Sequence, residues 1–276
     1  MRIVLVGPGR AGLSLTLAAG AAGHDITAVV GRDQAGAEAG VALVGGAALT
    51  TADDLPPSDL LLIATRDEAI AAVALQIAQH ASSVAAAVHV SGLTPVSALD
   101  PLAAAGLRVG SFHPLQTLPT PEAGAARLGG AWIAVTAVEP LRSELHGFAV
   151  SLGAAPFDLE DARKPLYHAA ASAAANFPLA ALAMASDLFD GAGVPFAAAR
   201  PLVEAAVSNA FEIGPRPALT GPVARGDVAT VATQLDAIHA ADPSWLPAFV
   251  VVVRELARLT GRSDQFDEML RFWESD

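Results

Sequence analysis

Met1-Arg2-Ile3-Val4-Leu5-Val6-Gly7-Pro8-Gly9-Arg10-Ala11-Gly12 is the stretch whose reading decides the fold. A short apolar strand that breaks into Gly-x-Gly-x-x-Gly and then enters an Ala/Leu-rich helix is the pattern that seats a dinucleotide's pyrophosphate. Gly7 is expected to allow the tight turn, Gly9 to let the backbone approach the phosphates, and Gly12 to let the helix pack closely on the sheet. Pro8, Arg10 and Ala11 complete the turn and are expected beside the cofactor. A purely structural glycine turn is the alternative in a chain with 24 glycines. The position of the motif, after a strand and before a helix, is what favours the nucleotide.

Composition narrows the class. At 276 residues, 53% hydrophobic and 16% charged, the chain suits one large or two ordinary domains. The apolar N-terminal run is short and ends in glycines, so neither a signal peptide nor a membrane anchor is expected there, and the expected location is cytoplasmic. A net charge of −12 should repel nucleic acid and anionic membranes, leaving small molecules as the expected partners. The absence of cysteine excludes disulfides, thiolate metal sites and cysteine nucleophiles. No metal-ligand spacing or internal repeat stands out.

The β-branched run 26–30 reads as a second strand ending at Gly31-Arg32-Asp33. NAD-binding units usually carry an acidic residue at that strand end, to receive the ribose hydroxyls; here Gly31 and a cation, Arg32, stand in its place. Arg32 can pair with a 2′-phosphate, which favours NADP(H) over NAD(H). Otherwise Arg32 is an exposed arginine and Asp33 merely caps the next helix. Further strands are expected at 47–50, 59–64, 85–90, 107–112, 131–137 and 155–159. Thr65 and Arg66 follow one strand and rank as cofactor contacts, because ligands lie outside the carboxyl ends of parallel strands. His89, Ser91 and Gly92 follow another, with His89 and Gly92 expected beside the nicotinamide, and His113 follows a third. Two histidines at neighbouring strand ends with a serine between them suggest a polar pocket, although each alone is more often structural.

The β signals vanish near residue 157. The expected organisation is therefore a doubly wound, mostly parallel α/β Rossmann domain over 1–157 and an all-helical domain over 158–276. The second opens on a long Ala-rich helix, 161–190, where Lys164, His168, Ser172 and Asn176 recur every four residues on one stripe. Between Leu166 and Ser186 no residue is formally charged, so a membrane span competes with a buried core helix. The polar stripe and Pro178 favour the core helix. In the turn-rich 215–227 segment, Thr220, Arg225 and Asp227 are functional candidates; alternatively Asp227 caps the next helix and Arg225 pairs with it.

Taken together, Gly7 to Gly12, His89-Val90-Ser91-Gly92, the run Ser111 to Thr117, Lys164-Pro165-Leu166-Tyr167-His168 and the run Leu219 to Asp227 resemble Rossmann proteins whose helical part is the domain of unknown function 2520 (DUF2520). The resemblance spans nearly the whole chain. The architecture is similar to the group that holds ketopantoate reductase and 6-phosphogluconate dehydrogenase, whose members are often dimers. It implies an NADPH-dependent reductase of a small carbonyl or imine compound, an anionic 2-keto or 3-keto acid type, working at an interdomain cleft as a homodimer. Relatives use a lysine with an asparagine one turn later; here His168 follows Lys164, a departure from that pattern. His168 is thus the expected general acid, with Lys164 as carbonyl polariser, Asn176, His113 and Ser91 completing the site, and Arg225 holding a carboxylate. Rival readings are a nucleotide-binding protein without turnover and a deazaflavin-dependent NADP oxidoreductase.

Overall fold

A computed structural model describes residues 1–274. The chain runs β1 (Arg2–Val6), α1 (Arg10–Ala21), β2 (Asp25–Val30), α2 (Gln34–Val44), β3 (Ala47–Leu49), β4 (Leu60–Ile63), α3 (Ile70–Ala78), β5 (Ala86–His89), α4 (Asp100–Ala104), β6 (Arg108–Leu115), α5 (Pro121–Leu128), β7 (Trp132–Ala137), α6 (Leu141–Ser151) and β8 (Ala155–Asp158). Helices follow: α7 (Lys164–Gly191), α8 (Arg200–Ile213), α9 (Pro222–Arg225), α10 (Val228–Ala241), α11 (Leu246–Leu259) and α12 (Ser263–Glu274).

The eight strands form one sheet in the order β3-β2-β1-β4-β5-β6-β7-β8, parallel throughout except for the antiparallel pair β6 and β7. β4 and β5 are buried at every position, which is why their sequences are unbroken apolar runs rather than alternating ones. One face of the sheet packs Leu5, Val88, Phe112 and Ile133 against Leu15 and Phe148 from the helices; the other packs Val4, Val6, Leu61 and Ile63 against Ile70, Leu99 and Leu102. Strand order reverses beside β1, between β2 and β4, and such a switch point opens a crevice at the carboxyl ends of the strands.

Contacts divide the chain into a unit of residues 1–175 and a second from Asn176 onward. The change from sheet to helix falls after Asp158, beside the expected boundary at 157. The contact division comes later because the first turns of α7 pack with the sheet unit. In the second unit, Val231, Leu235, Val250, Val253, Phe266 and Leu270 form a separate core.

Three expectations need correction. β6 continues through His113 to Leu115, because pairing with β7 extends it beyond the point where β5 stops. The segment 215–227 is not wholly irregular: Pro222 starts the short α9. Most importantly, α7 is not a buried core helix. Lys164 is its one buried residue, and its most apolar 18-residue stretch, of mean hydropathy 1.3, has none. By length and composition that helix could cross a membrane. Its apolarity comes largely from alanine, and a methyl group gains little by burial, about 0.8 kcal/mol, so the composition does not compel a buried position within the chain.

Candidate active site

The glycine turn is built as its spacing predicts. Gly7 has φ +88°, in the region that disfavours a side chain, and its N–H donates to the Val30 carbonyl at 2.9 Å. A Cβ on Gly12 would come within 2.7 Å of Leu5 and 2.8 Å of Ala64, so only glycine lets α1 lie this close to β1 and β4. At Gly9 the situation is the reverse: a Cβ would meet nothing nearer than the Ala64 carbonyl at 4.0 Å. That open space stands before the N-terminus of α1, which has no capping side chain and no acidic residue in its first turn. Unpaired N–H groups and the positive end of the helix dipole are what a pyrophosphate requires.

Two hollows adjoin this turn. One, of about 1030 Å³, is lined by Gly7, Pro8, Gly9, Gly31, Arg32, Thr51, Arg66 and His80. The other, of about 500 Å³, is lined by Gly9, Arg10, Ala11, Thr65, Arg66 and the run Thr117 to Pro119. Arg32 is held only loosely, 3.9 Å from Asp33, with its side chain 93% exposed. Asp33 caps α2 by accepting from the Gly36 N–H at 2.8 Å, and Arg32 stands exposed beside it. Arg66 reaches Glu68 at 3.2 Å. Thr65 carries a buried hydroxyl without a hydrogen-bond partner beside the glycine turn. An orphaned donor, an open Gly9 and exposed arginines at the rim fit a phosphorylated dinucleotide.

A second constellation lies further along the same strand-end edge. His89 is fully buried, and its Nδ1 accepts the Ser91 N–H at 3.2 Å, which leaves the proton on Nε2. That Nε2 makes no hydrogen bond, although the nearby Pro95 carbonyl favours the charged ring. Burial, with the Lys164 charge second, lowers the His89 pKa to about 4. The Ser91 hydroxyl is fully occupied: it donates to Asp67 at 2.8 Å and accepts the N–H groups of Leu93 and Thr94. Its local role is to fold the turn after β5.

Lys164, expected as a carbonyl polariser, is 1% exposed. Its Nζ donates to the Thr94 carbonyl and to Asp161, both at 2.8 Å, while Asp161 also accepts the Val96 N–H. Lysine and aspartate thus clasp the loop after β5 to the start of α7. Burial pushes the Lys164 pKa down and Asp161 opposes the shift.

His113 meets a residue that the sequence reading passed over. Its Nδ1 lies 2.7 Å from the Tyr167 hydroxyl, and the two rings stand edge to face with centroids 5.5 Å apart. Burial comes first, and the neighbouring His168 charge second, in lowering the His113 pKa to about 4; Asp67 opposes both. Burial pushes the Tyr167 hydroxyl up to about 12. Gly92 is required here for a different reason from nucleotide contact, since a Cβ would sit 2.8 Å from the His113 ring. His168 is half-buried, whereas Asn176 is exposed and belongs to the second unit.

His89, Ser91, Gly92, His113, Lys164 and His168 are therefore brought together, with Asp67, Thr94, Asp161 and Tyr167 joining them unforeseen. A sequence signal for Tyr167 existed: it is the one tyrosine of the chain and stands three residues after Lys164, on nearly the same helix face. In the second unit, Asp227 caps α10 by accepting from the Thr230 N–H at 3.1 Å, and Arg262 braces the loop by donating to the Ala224 carbonyl at 3.0 Å. Thr220 and Arg225 are exposed. Among the described residues no group of three or more His, Asp or Glu is arranged to hold a metal ion.

Residues 131–256 match the family described as domain of unknown function DUF2520. No curated protein sequence matches the chain. Solved structures do. A provisional NADP oxidoreductase of Bacteroides fragilis superposes with a TM-score of 0.78 at 23% identity, over 93% of this chain and 98% of its own. The imine reductase of Streptomyces aurantiacus gives 0.70 at 16% identity, covering 99% of each chain. The imine reductase of Myxococcus stipitatus, solved with NADP+, gives 0.67 at 15% identity, covering 94% of each.

Proposed function

We infer from the DUF2520 match over residues 131–256, and from a fold shared with NADP-linked oxidoreductases, that the chain is an oxidoreductase. From this premise we propose that it is a cytoplasmic, NADPH-dependent reductase of a small carbonyl or imine compound, with a 2-keto or 3-keto acid as the first substrate class to test. The single observation that carries the reading is that one strand-end edge presents both an open glycine turn and a cluster of proton-bearing side chains, His113, Tyr167 and His168. Bound NADPH would supply a hydride. Gly7 to Gly12 and Thr65 would hold its pyrophosphate region, and Arg32, with Arg66, would meet the 2′-phosphate.

The chain's own residues divide the remaining work. Ser91 and Lys164 shape the loop after β5 and His89 fills the space beneath it, while the His113 group offers the proton that a reduced oxygen or nitrogen needs. Arg225 is exposed on a braced loop of the second unit, a cation able to bind a carboxylate. A homodimer is part of the same proposal. α8 buries none of its own residues and exposes Leu202, Phe211 (89%) and Ile213, and α7 exposes Phe177 and Leu179; a second copy of the chain would cover such a surface.

Oxidation of NADPH is to be followed with 2-keto acids, 3-keto acids and cyclic imines, beside equilibrium binding of NADPH, NADH and a deazaflavin. Turnover of at least one panel compound with NADPH is expected. Tight NADPH binding without turnover across the panel would instead favour the binding protein, and hydride transfer to the deazaflavin alone would favour the two-cofactor enzyme.

A further inference from the structure

The clasp formed by Lys164 removes the residue that the family pattern would make the carbonyl's partner, and the structure puts a phenol nearby. Three separate parts of the chain fix that phenol. Gly92, after β5, gives the His113 ring its seat; His113, in β6, presents Nδ1 at 2.7 Å; and α7 carries Tyr167 in its first turn. Phe157 also stands edge to face with the tyrosine ring, with centroids 6.0 Å apart. Tyr167 and His113 are both half-buried rather than sealed.

Burial keeps this imidazole neutral and this phenol protonated across the physiological range. A neutral imidazole still conducts protons, because it can release one from Nδ1 while taking one at Nε2 and so never carries net charge.

Resting on the reductase reading above, we propose that Tyr167 donates the proton to the substrate atom that hydride addition leaves with a lone pair, and that His113 resupplies Tyr167. As the C=O or C=N carbon accepts the hydride, the π pair moves to the oxygen or nitrogen, which takes the phenolic proton. The phenol oxygen takes the Nδ1 proton of His113, and Nε2 takes one from water. One hydride and one solvent proton are added, and both residues recover their charge, His113 in its other tautomer. His168, whose charge acts on the same ring, is the competing donor.

The test uses the full chain with NADPH and whichever panel compound the wild type reduces. Tyr167→Phe is expected to lower kcat at pH 7 by 100-fold or more, with KM and the NADPH dissociation constant unchanged within about threefold and the urea unfolding midpoint retained. His113→Ala is expected to lose turnover that added imidazole partly restores, a rescue that a packing role would not give. Because the chain has one tyrosine, its phenolate absorbance can be titrated without interference, and His113→Gln should move that titration. Tyr167→Phe with kcat within twofold of wild type overturns the proposal and leaves the reductase standing; so does His168→Ala abolishing turnover while Tyr167→Phe retains it. A wild type that binds NADPH and reduces nothing in the panel removes the reductase reading, and this proposal with it.

Discussion

Two regions of the sheet unit face the same edge and are built in opposite ways. The nucleotide region is made of backbone: Gly7, Gly9 and Gly12 work by lacking side chains, and the N-terminus of α1 offers N–H groups that any sequence would supply. The histidine region is made of side chains drawn from three places, with Ser91 and Gly92 after β5, His113 in β6, and Lys164 and Tyr167 at the start of α7. A backbone site needs local spacing only. A side-chain site needs the strand order to be right first. Damage should therefore be local and severe in one, and distributed and graded in the other.

The largest effect is expected from Gly12→Val, which would force atoms into the contacts of 2.7 to 2.9 Å that a Cβ already makes with Leu5, Ala64 and Gly7. Overpacking of this kind costs about 3 kcal/mol, and NADPH binding followed by fluorescence should weaken by about 100-fold or more as the turn opens, on the order of 2.7 kcal/mol. Lys164→Ala comes next. It strands the Thr94 carbonyl and the Asp161 carboxylate, but Asp161 is 37% exposed and water can reach it, so the loss in urea unfolding should be about 2 kcal/mol rather than the 3 to 5 of a fully buried pair. NADPH affinity should change little in that variant, which separates the two regions.

A pH titration of stability sharpens the contrast further. The folded-state pKa of His89 lies near 4, below its ordinary 6.5, so the unfolded chain takes up the proton first as pH falls. The contribution is complete above pH about 6.5 and is lost between about 6.5 and 4, at up to about 1.4 kcal/mol per pH unit for this one group. His113 adds a loss of the same sign. Urea midpoints at intervals across that window should show the slope, and His89→Gln should flatten it. The smallest effect is expected at the cofactor rim: Arg32→Ala should weaken NADPH by about fivefold, roughly 1 kcal/mol, and leave NADH unchanged, because its guanidinium is 93% exposed and solvent competes for the phosphate.

The difference between the regions is also a difference in legibility. Most strands of the sheet are readable from β-branched or unbroken apolar runs, and Gly7 to Gly12 from its spacing, because both signals are local. Two histidines at neighbouring strand ends suggest a polar pocket; in the structure His89 is fully buried and His113 meets Tyr167. Lys164 is expected to polarise a carbonyl because resembling enzymes use a lysine there, and in the structure its ammonium is held by Thr94 and Asp161; nothing within the helix reveals that those two will meet it. The polar stripe and Pro178 of α7 point to a core helix, but such signals measure fitness to be buried, not the presence of something to bury against.

By itself, then, the sequence determined the order of strands and helices, the change to an all-helical part after Asp158, and a glycine turn shaped for a dinucleotide. Those follow from steric limits on the backbone and from the periods of 2 and 3.6 residues, which act over a few positions. Only the tertiary structure decided that His113 grips Tyr167, that Ser91 is spent on its own turn, and that Lys164 is buried against Asp161. Such pairings join residues up to 70 positions apart, and the distance between them is fixed by how the sheet orders its strands rather than by any local rule.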